Sequence, residues 1–254
     1  MKFGIAVPVD KASILKKLGY DYFEPSFGAL GKMTDDDYKV FCDDVAKCGL
    51  IPEAMNMMLI GGLKVVGEEV DLSKVKDFLE LTFARAANVG TKTVVFGSGG
   101  ARNVPVGFER AKAYDQIEDF LKMAGPIAEK NGCTIAIEPL NYASCNIINT
   151  VGEAAFVAAR VDHPAVRILG DYFHMGDNKE DCEGIYAFAH RLEHMHIGRH
   201  VTRLYPFIGD GCDYTPFMGN LKKAGYNKRV SIEGSFNDFE ADSAKALELL
   251  KSLD

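Results

Sequence analysis

The chain has 254 residues, 47% hydrophobic and 26% charged, the balance of a soluble globular protein with a large core; its length suits one (β/α)8 barrel of about 250 residues. A formal net charge of −7, with no like-charge block longer than Asp35 to Asp37, argues against a nucleic-acid partner and against an anionic membrane surface. Six cysteines (Cys42, Cys48, Cys133, Cys145, Cys182, Cys212) include no CxxC pair, which speaks against a zinc knuckle or a disulfide framework and for a reducing, cytoplasmic setting. No stretch approaches the ~18 apolar residues of a membrane span, and MKFGIAVPVD runs into a strand-like segment without a cleavage-site pattern.

Strand-like and helix-like segments alternate along the chain in eight pairs. The expected strands are Phe3–Val7, Tyr20–Glu24, Leu50–Met55, Thr93–Gly97, Thr134–Glu138, Val166–Asp171, Leu192–Ile197 and Arg229–Glu233. Helical patterns follow at 11–18, 34–48, 71–89, 107–131, 150–160, 179–190, 213–224 and 238–253. Asp71, Asp238 and a capping box of Thr150 with Glu153 mark helix starts, while Gly19, Gly49, Gly90, Gly132 and Gly225 stand just past helix ends. That rhythm predicts parallel βα units. An open doubly wound sheet is the competing architecture, but the turn after its first strand would carry a Gly-rich phosphate loop, and here it reads AVPVDKAS. With no linker or low-complexity segment, the expectation is one (β/α)8 barrel domain over 1–254, with its active site at the strand C-termini.

The fifth strand, TIAIE, alternates Ile135 and Ile137 against Thr134, Ala136 and Glu138, so a carboxylate ends its less apolar face. Asp171, His196 and Glu233 end three later strands in the same way. Three carboxylates and an imidazole converging on one mouth repel or desolvate one another unless a cation joins them. The oxygen-rich donor set suits one divalent ion, Mn²⁺ first, with Mg²⁺, Co²⁺ and Zn²⁺ also compatible. Glu24 and Asn56, at the ends of strands two and three, are candidates to line the pocket. Arg102, among glycines, could hold a substrate hydroxyl or phosphate or brace its loop, and His194 reads as a hydrogen-bonded interior histidine. Phe23, Phe27, Phe96, Tyr142 and Phe236 lie near strand ends as candidates to close the mouth against water.

The segments GSGGARNVP (97–105), IEPLN (137–141), CNIINTVGEA (145–154), LGDYFHM (169–175), HMHIG (194–198), RLYP (203–206) and SIEGS (231–235) occur in order. Through them the sequence resembles the xylose isomerase-like barrel superfamily, in particular its sugar (phosphate) isomerases and epimerases, which include ketose 3-epimerases and hydroxypyruvate isomerases. The resemblance implies that Glu138, Asp171, His196 and Glu233 hold one metal ion and that Glu138 and Glu233 double as the acid/base pair. It further implies that His174 and Arg203 contact substrate oxygens, that the partner is a small sugar, polyol or sugar phosphate, and that the protein forms dimers or tetramers. The chemistry is consistent: a metal chelated by a carbonyl and its neighbouring hydroxyl acidifies the adjacent C–H and stabilises the enediolate. Returning the proton to the opposite face epimerises the centre, and returning it to the neighbouring carbon isomerises the sugar.

Two departures from the family pattern stand out. The loop from His196 to Arg203 is one residue longer, and Ser144 occupies the position where ketose 3-epimerases carry a second glutamate. The competing functions are an inosose or dehydroshikimate type of dehydratase, a three-zinc endonuclease IV type of nuclease, and a non-catalytic metal-binding subunit. The nuclease reading requires histidines at strand tips three and four, which here read EAMNM and FGSGG.

Overall fold

The computed structural model describes residues 1–254. Eight parallel strands, β1 (Lys2–Ile5), β2 (Tyr22–Phe23), β3 (Ala54–Met55), β4 (Thr93–Phe96), β5 (Thr134–Ile137), β6 (Val166–Asp171), β7 (Leu192–Ile197) and β8 (Arg229–Ile232), form one sheet in the order 2-1-8-7-6-5-4-3. Isolated bridges from Tyr22 to Ile51 and from Ser26 to Asn56 join β2 to β3, so the sheet curls into a nearly closed (β/α)8 barrel.

The helices are α1 (Ala12–Leu18), α2 (Phe27–Lys32), α3 (Asp35–Cys48), α4 (Leu72–Asn88), α5 (Gly99–Arg102), α6 (Arg110–Lys130), α7 (Val151–Val161), α8 (Tyr172–Asp177), α9 (Glu183–Ala187), α10 (Thr215–Lys223) and α11 (Phe239–Leu253). Caps predicted from sequence act as such: Asp71 accepts from the Ser73 and Lys74 amides, Thr150 from Glu153 and Asp238 from Ala241. The expected helix over 179–190 is instead the short α9 plus a 3-10 turn at Ala189–Arg191, and Lys179 has a φ of 57° that interrupts the helical run before it. No helix is long and apolar enough to cross a membrane.

Strand alternation divides the interior in two. Ile135 and Ile137 join a 64-residue core between barrel and helices, while Val95, Ala136 and Leu169 form a small separate cluster. Alternation places that second set inside the barrel, and polar layers run above and below it. Tyr22 and Ser231 share a 2.7 Å hydrogen bond across the barrel. Nearer the strand N-termini, Arg229 donates to Thr93 and Glu193. Phe23, Phe27 and Phe96 are completely buried core residues and do not close the mouth, in contrast to the exposed Tyr142 and Phe236.

Glu180 fastens the segment after α8 to α7 by accepting from the Val151 amide at 2.9 Å, and its second oxygen is buried without a partner. Burial, with the nearby charges of Asp181 and Glu153, pushes its carboxyl up to about 7. The native state therefore keeps a proton that the unfolded chain releases near 4.5, so this contribution to stability is full below that pH and is lost as pH rises through about 7. Urea unfolding at pH 5 and pH 7.5 should show wild type losing stability relative to Glu180→Gln over that window; parallel profiles would contradict it.

Candidate active site

The C-terminal tips of β5, β6, β7 and β8 bring Glu138, Asp171, His196 and Glu233 together, with one donor atom from each lying within 4.8 Å of every other. Asp171 and His196 are the last and penultimate residues of their strands, and Glu138 and Glu233 follow theirs directly. His196 Nδ1 lies 3.1 Å from Glu138 Oε1 and 3.3 Å from Glu233 Oε2. The Asp171 oxygen Oδ2 is buried with no hydrogen-bond partner. Carboxylates crowded this closely, one with an orphaned oxygen, fit a bound divalent cation better than a network of hydrogen bonds.

Glu24 explains how His196 is aimed. Its two oxygens take His196 Nε2 at 2.9 Å and His194 Nε2 at 2.8 Å, leaving the other imidazole nitrogen of His196 to face the carboxylates. Glu24 is 1% exposed, so it orients a histidine and is not open to substrate. Burial alone would raise its carboxyl, but the two histidines outweigh that and hold it well below the usual range. Burial likewise opposes charge on His196, yet Glu24, Glu233 and Glu138 push its ring well above normal.

Around this cluster lies a cavity of about 270 Å³, whose lining includes Asn56, Glu138, Ser144, His174, Arg203 and Glu233. Arg203 Nη2 donates to Glu233 Oε2 at 2.5 Å, and Asn56 Nδ2 donates to Oε1 at 3.3 Å. Burial raises the Glu233 carboxyl on its own, but His196 and Arg203 outweigh it and lower the group to about 2. Asp171 shifts upward, through burial and then the charges of Glu138 and Glu233. His174 Nδ1 accepts from the Asn141 amide at 3.1 Å, so its ring proton sits on Nε2, 3.5 Å from Asp171 Oδ2. Ser144 leaves this wall with a small hydroxyl where a carboxylate was the family expectation.

Arg102 requires a correction. It is completely buried and donates to the backbone carbonyls of Phe96 and Glu138, which braces the tips of β4 and β5 instead of reaching substrate. Two residues gain weight. Asn141 sets the His174 tautomer, and Gly97 leaves the space that Glu138 occupies, since a Cβ there would collide with Glu138 Oε2. Gly97→Ala should therefore displace the carboxylate and cut kcat by roughly 10²-fold with the fold retained, as a misplacement of about 1 Å can do; unchanged kinetics would show that Glu138 has room to move.

Comparisons agree with this architecture. A family model described as xylose isomerase-like TIM barrel matches residues 12–253. The chain is 25% identical over 233 residues to 3-dehydro-D-guloside 4-epimerase of Escherichia coli (strain K12), covering 89% of this chain and 86% of the relative. Among solved structures, apo 3-keto-D-glucoside 4-epimerase from E. coli superposes with a TM-score of 0.82 at 22% identity, covering 99% of each chain. D-Psicose 3-epimerase with D-tagatose, from Clostridium cellulolyticum H10, gives 0.87 at 18% identity, covering 100% of this chain and 99% of the other.

Proposed function

The chain belongs to the xylose isomerase-like TIM barrel family, and from that premise we propose that it is a divalent-metal-dependent sugar epimerase or isomerase acting beside a carbonyl. The observation that carries the reading is the convergence of Glu138, Asp171, His196 and Glu233, with a buried Asp171 oxygen that no hydrogen bond satisfies. These four residues would hold one ion, and their oxygen-rich set favours Mn²⁺. When bound, such an ion supplies Lewis acidity, which lowers the pKa of the C–H beside a carbonyl and stabilises the negative charge that develops on oxygen.

The chain's own groups do the proton work. Glu138 and Glu233 approach from β5 and β8, so one carboxylate takes the proton from the carbon beside the carbonyl to give the enediolate, and the other returns a proton to the opposite face. Arg203 and Asn56 hold the two Glu233 oxygens, and the charges of His196 and Arg203 keep that group ionised so that it can act as base. His174, with its proton on Nε2, donates to a substrate oxygen across the pocket. The reaction of the guloside epimerase to which the chain is 25% identical, inversion at C4 of a 3-dehydro sugar, is of this type. Substrate is accordingly a small keto sugar or its glycoside.

Wild-type protein loaded with Mn²⁺ should be incubated with free ketoses, keto-glycosides and ketose phosphates, and the products identified by NMR. Inversion next to the carbonyl, or movement of the carbonyl to the neighbouring carbon, supports the proposal. Loss of water from the sugar would favour the dehydratase reading, and about three equivalents of zinc per chain would favour the nuclease reading.

A further inference from the structure

A second cavity, of about 280 Å³, lies beside the polar one at the same end of the barrel and shares Asn56 with it. Its walls come from the ends of β1 and β2 (Ala6, Val7, Pro25), from Leu30 of α2 and Met33 just after it, and from α3 (Phe41). The Ala6 amide donates to the Ile232 carbonyl, which sets this wall next to Glu233 in the barrel. The chamber offers little to a hydroxyl group. Both oxygens of Glu24 are taken by His194 and His196, and the chamber's remaining polar side chains are Asn56, which gives one amide proton to Glu233, and Ser26, whose hydroxyl accepts from the Ala29 amide. A hydroxylated sugar tail placed against walls formed mostly by Ala6, Val7, Leu30, Met33 and Phe41 would lose hydration and recover few hydrogen bonds. An apolar ring fits, since an apolar cavity of about 150 Å³ is enough to hold benzene.

We propose that the site is built for glycosides: the keto sugar lies over the four strand tips while an apolar aglycone, aryl or branched alkyl, occupies the chamber over β1, β2 and β3. This inference rests on the function proposed above and names its substrate class. The bond to the aglycone is not broken; the chamber contributes affinity and selects the substrate.

The test uses Mn²⁺-loaded full-length protein with methyl and phenyl 3-ketoglucosides, reading KM and the exchange of the proton beside the carbonyl with D₂O. Burying the phenyl ring should lower KM by roughly tenfold or more relative to the methyl compound. Ala29→Trp, on the exposed rim of the chamber, should remove most of that preference, with circular dichroism checking that the barrel is intact. Equal KM values for the two glycosides, or a preference that survives Ala29→Trp in a folded variant, would overturn the aglycone chamber while leaving the proton chemistry standing. Failure of both glycosides to exchange, with exchange on a free ketose, overturns the glycoside assignment alone. Failure of every carbonyl sugar to exchange overturns the reading of the site and this inference together.

Discussion

Glu233→Gln and Glu138→Gln should each reduce turnover by about 10³-fold or more, since general acid/base groups contribute about 10²–10⁴-fold each and inversion needs both faces served. Gln keeps an oxygen and nearly the same volume, so partial metal binding and the barrel should survive. The two variants differ in what they disturb. Glu233 accepts from Arg203 and Asn56, so its replacement also frees the Arg203 side chain. Glu138 is the tip that Gly97 makes room for, and its carbonyl is held by Arg102. With a given epimer, the variant that keeps the carboxylate on the proton-bearing face should retain exchange of the proton beside the carbonyl, and the other variant should lose it, measured separately from product formation. Wild-type turnover in both variants would transfer the proton-carrying role to another group, with His174 the nearest candidate.

His196→Ala should nearly abolish divalent-metal binding, because it removes the sole nitrogen donor in the cluster and leaves three carboxylates facing a void. Glu24→Gln should act on the same binding from one layer further out. Two histidine N–H groups point at Glu24, and an amide offers them one oxygen and one N–H, so one of the two hydrogen bonds becomes a donor–donor clash. Second-layer partners of this kind are worth about 10–100-fold in metal affinity. Calorimetric titration with Mn²⁺ reads both effects. Wild-type affinity in Glu24→Gln would mean that His196 is aimed by packing alone.

The barrel was legible because its signals are local. The bounds of β6 follow from an apolar run closed by the polar tip Asp171, those of β7 from the alternation of LEHMHI, and Gly19, Gly49, Gly90, Gly132 and Gly225, expected as helix stops, all adopt positive φ. A proline shortens one expected strand, and a residue with a double role hides one helix. The expected strand Leu50–Met55 shrinks to Ala54–Met55, since Pro52 has no amide to give and the Glu53 amide turns back to the Ile51 carbonyl. Helix α8 carries no separate start signal in the sequence because Asp171 both ends β6 and caps the helix, accepting from the Phe173 amide. Spacing along the chain could align Glu138, Asp171, His196 and Glu233 at one end of the barrel, but which strand tip faces inward toward which histidine is a matter of barrel closure. Glu24 therefore read as a pocket residue although its partners lie 170 and 172 positions away. For the same reason the sequence leaves Arg102 open between a substrate contact and a brace, since the two carbonyls that consume it are brought together only by the tips of β4 and β5.

In the function proposed above, the four tips activate a C–H bond beside a carbonyl and Glu138 and Glu233 move its proton. Solvent deuterium reports this step directly. Wild-type protein in D₂O, given a turned-over keto sugar, should incorporate deuterium at the carbon next to the carbonyl when Mn²⁺ is present and lose that activity on chelation, with recovery on adding the ion back. Product formed with no solvent deuterium at that carbon, or exchange that persists undiminished in the chelated protein and in a Glu138→Gln/Glu233→Gln double variant, would rule out metal-assisted proton transfer by Glu138 and Glu233.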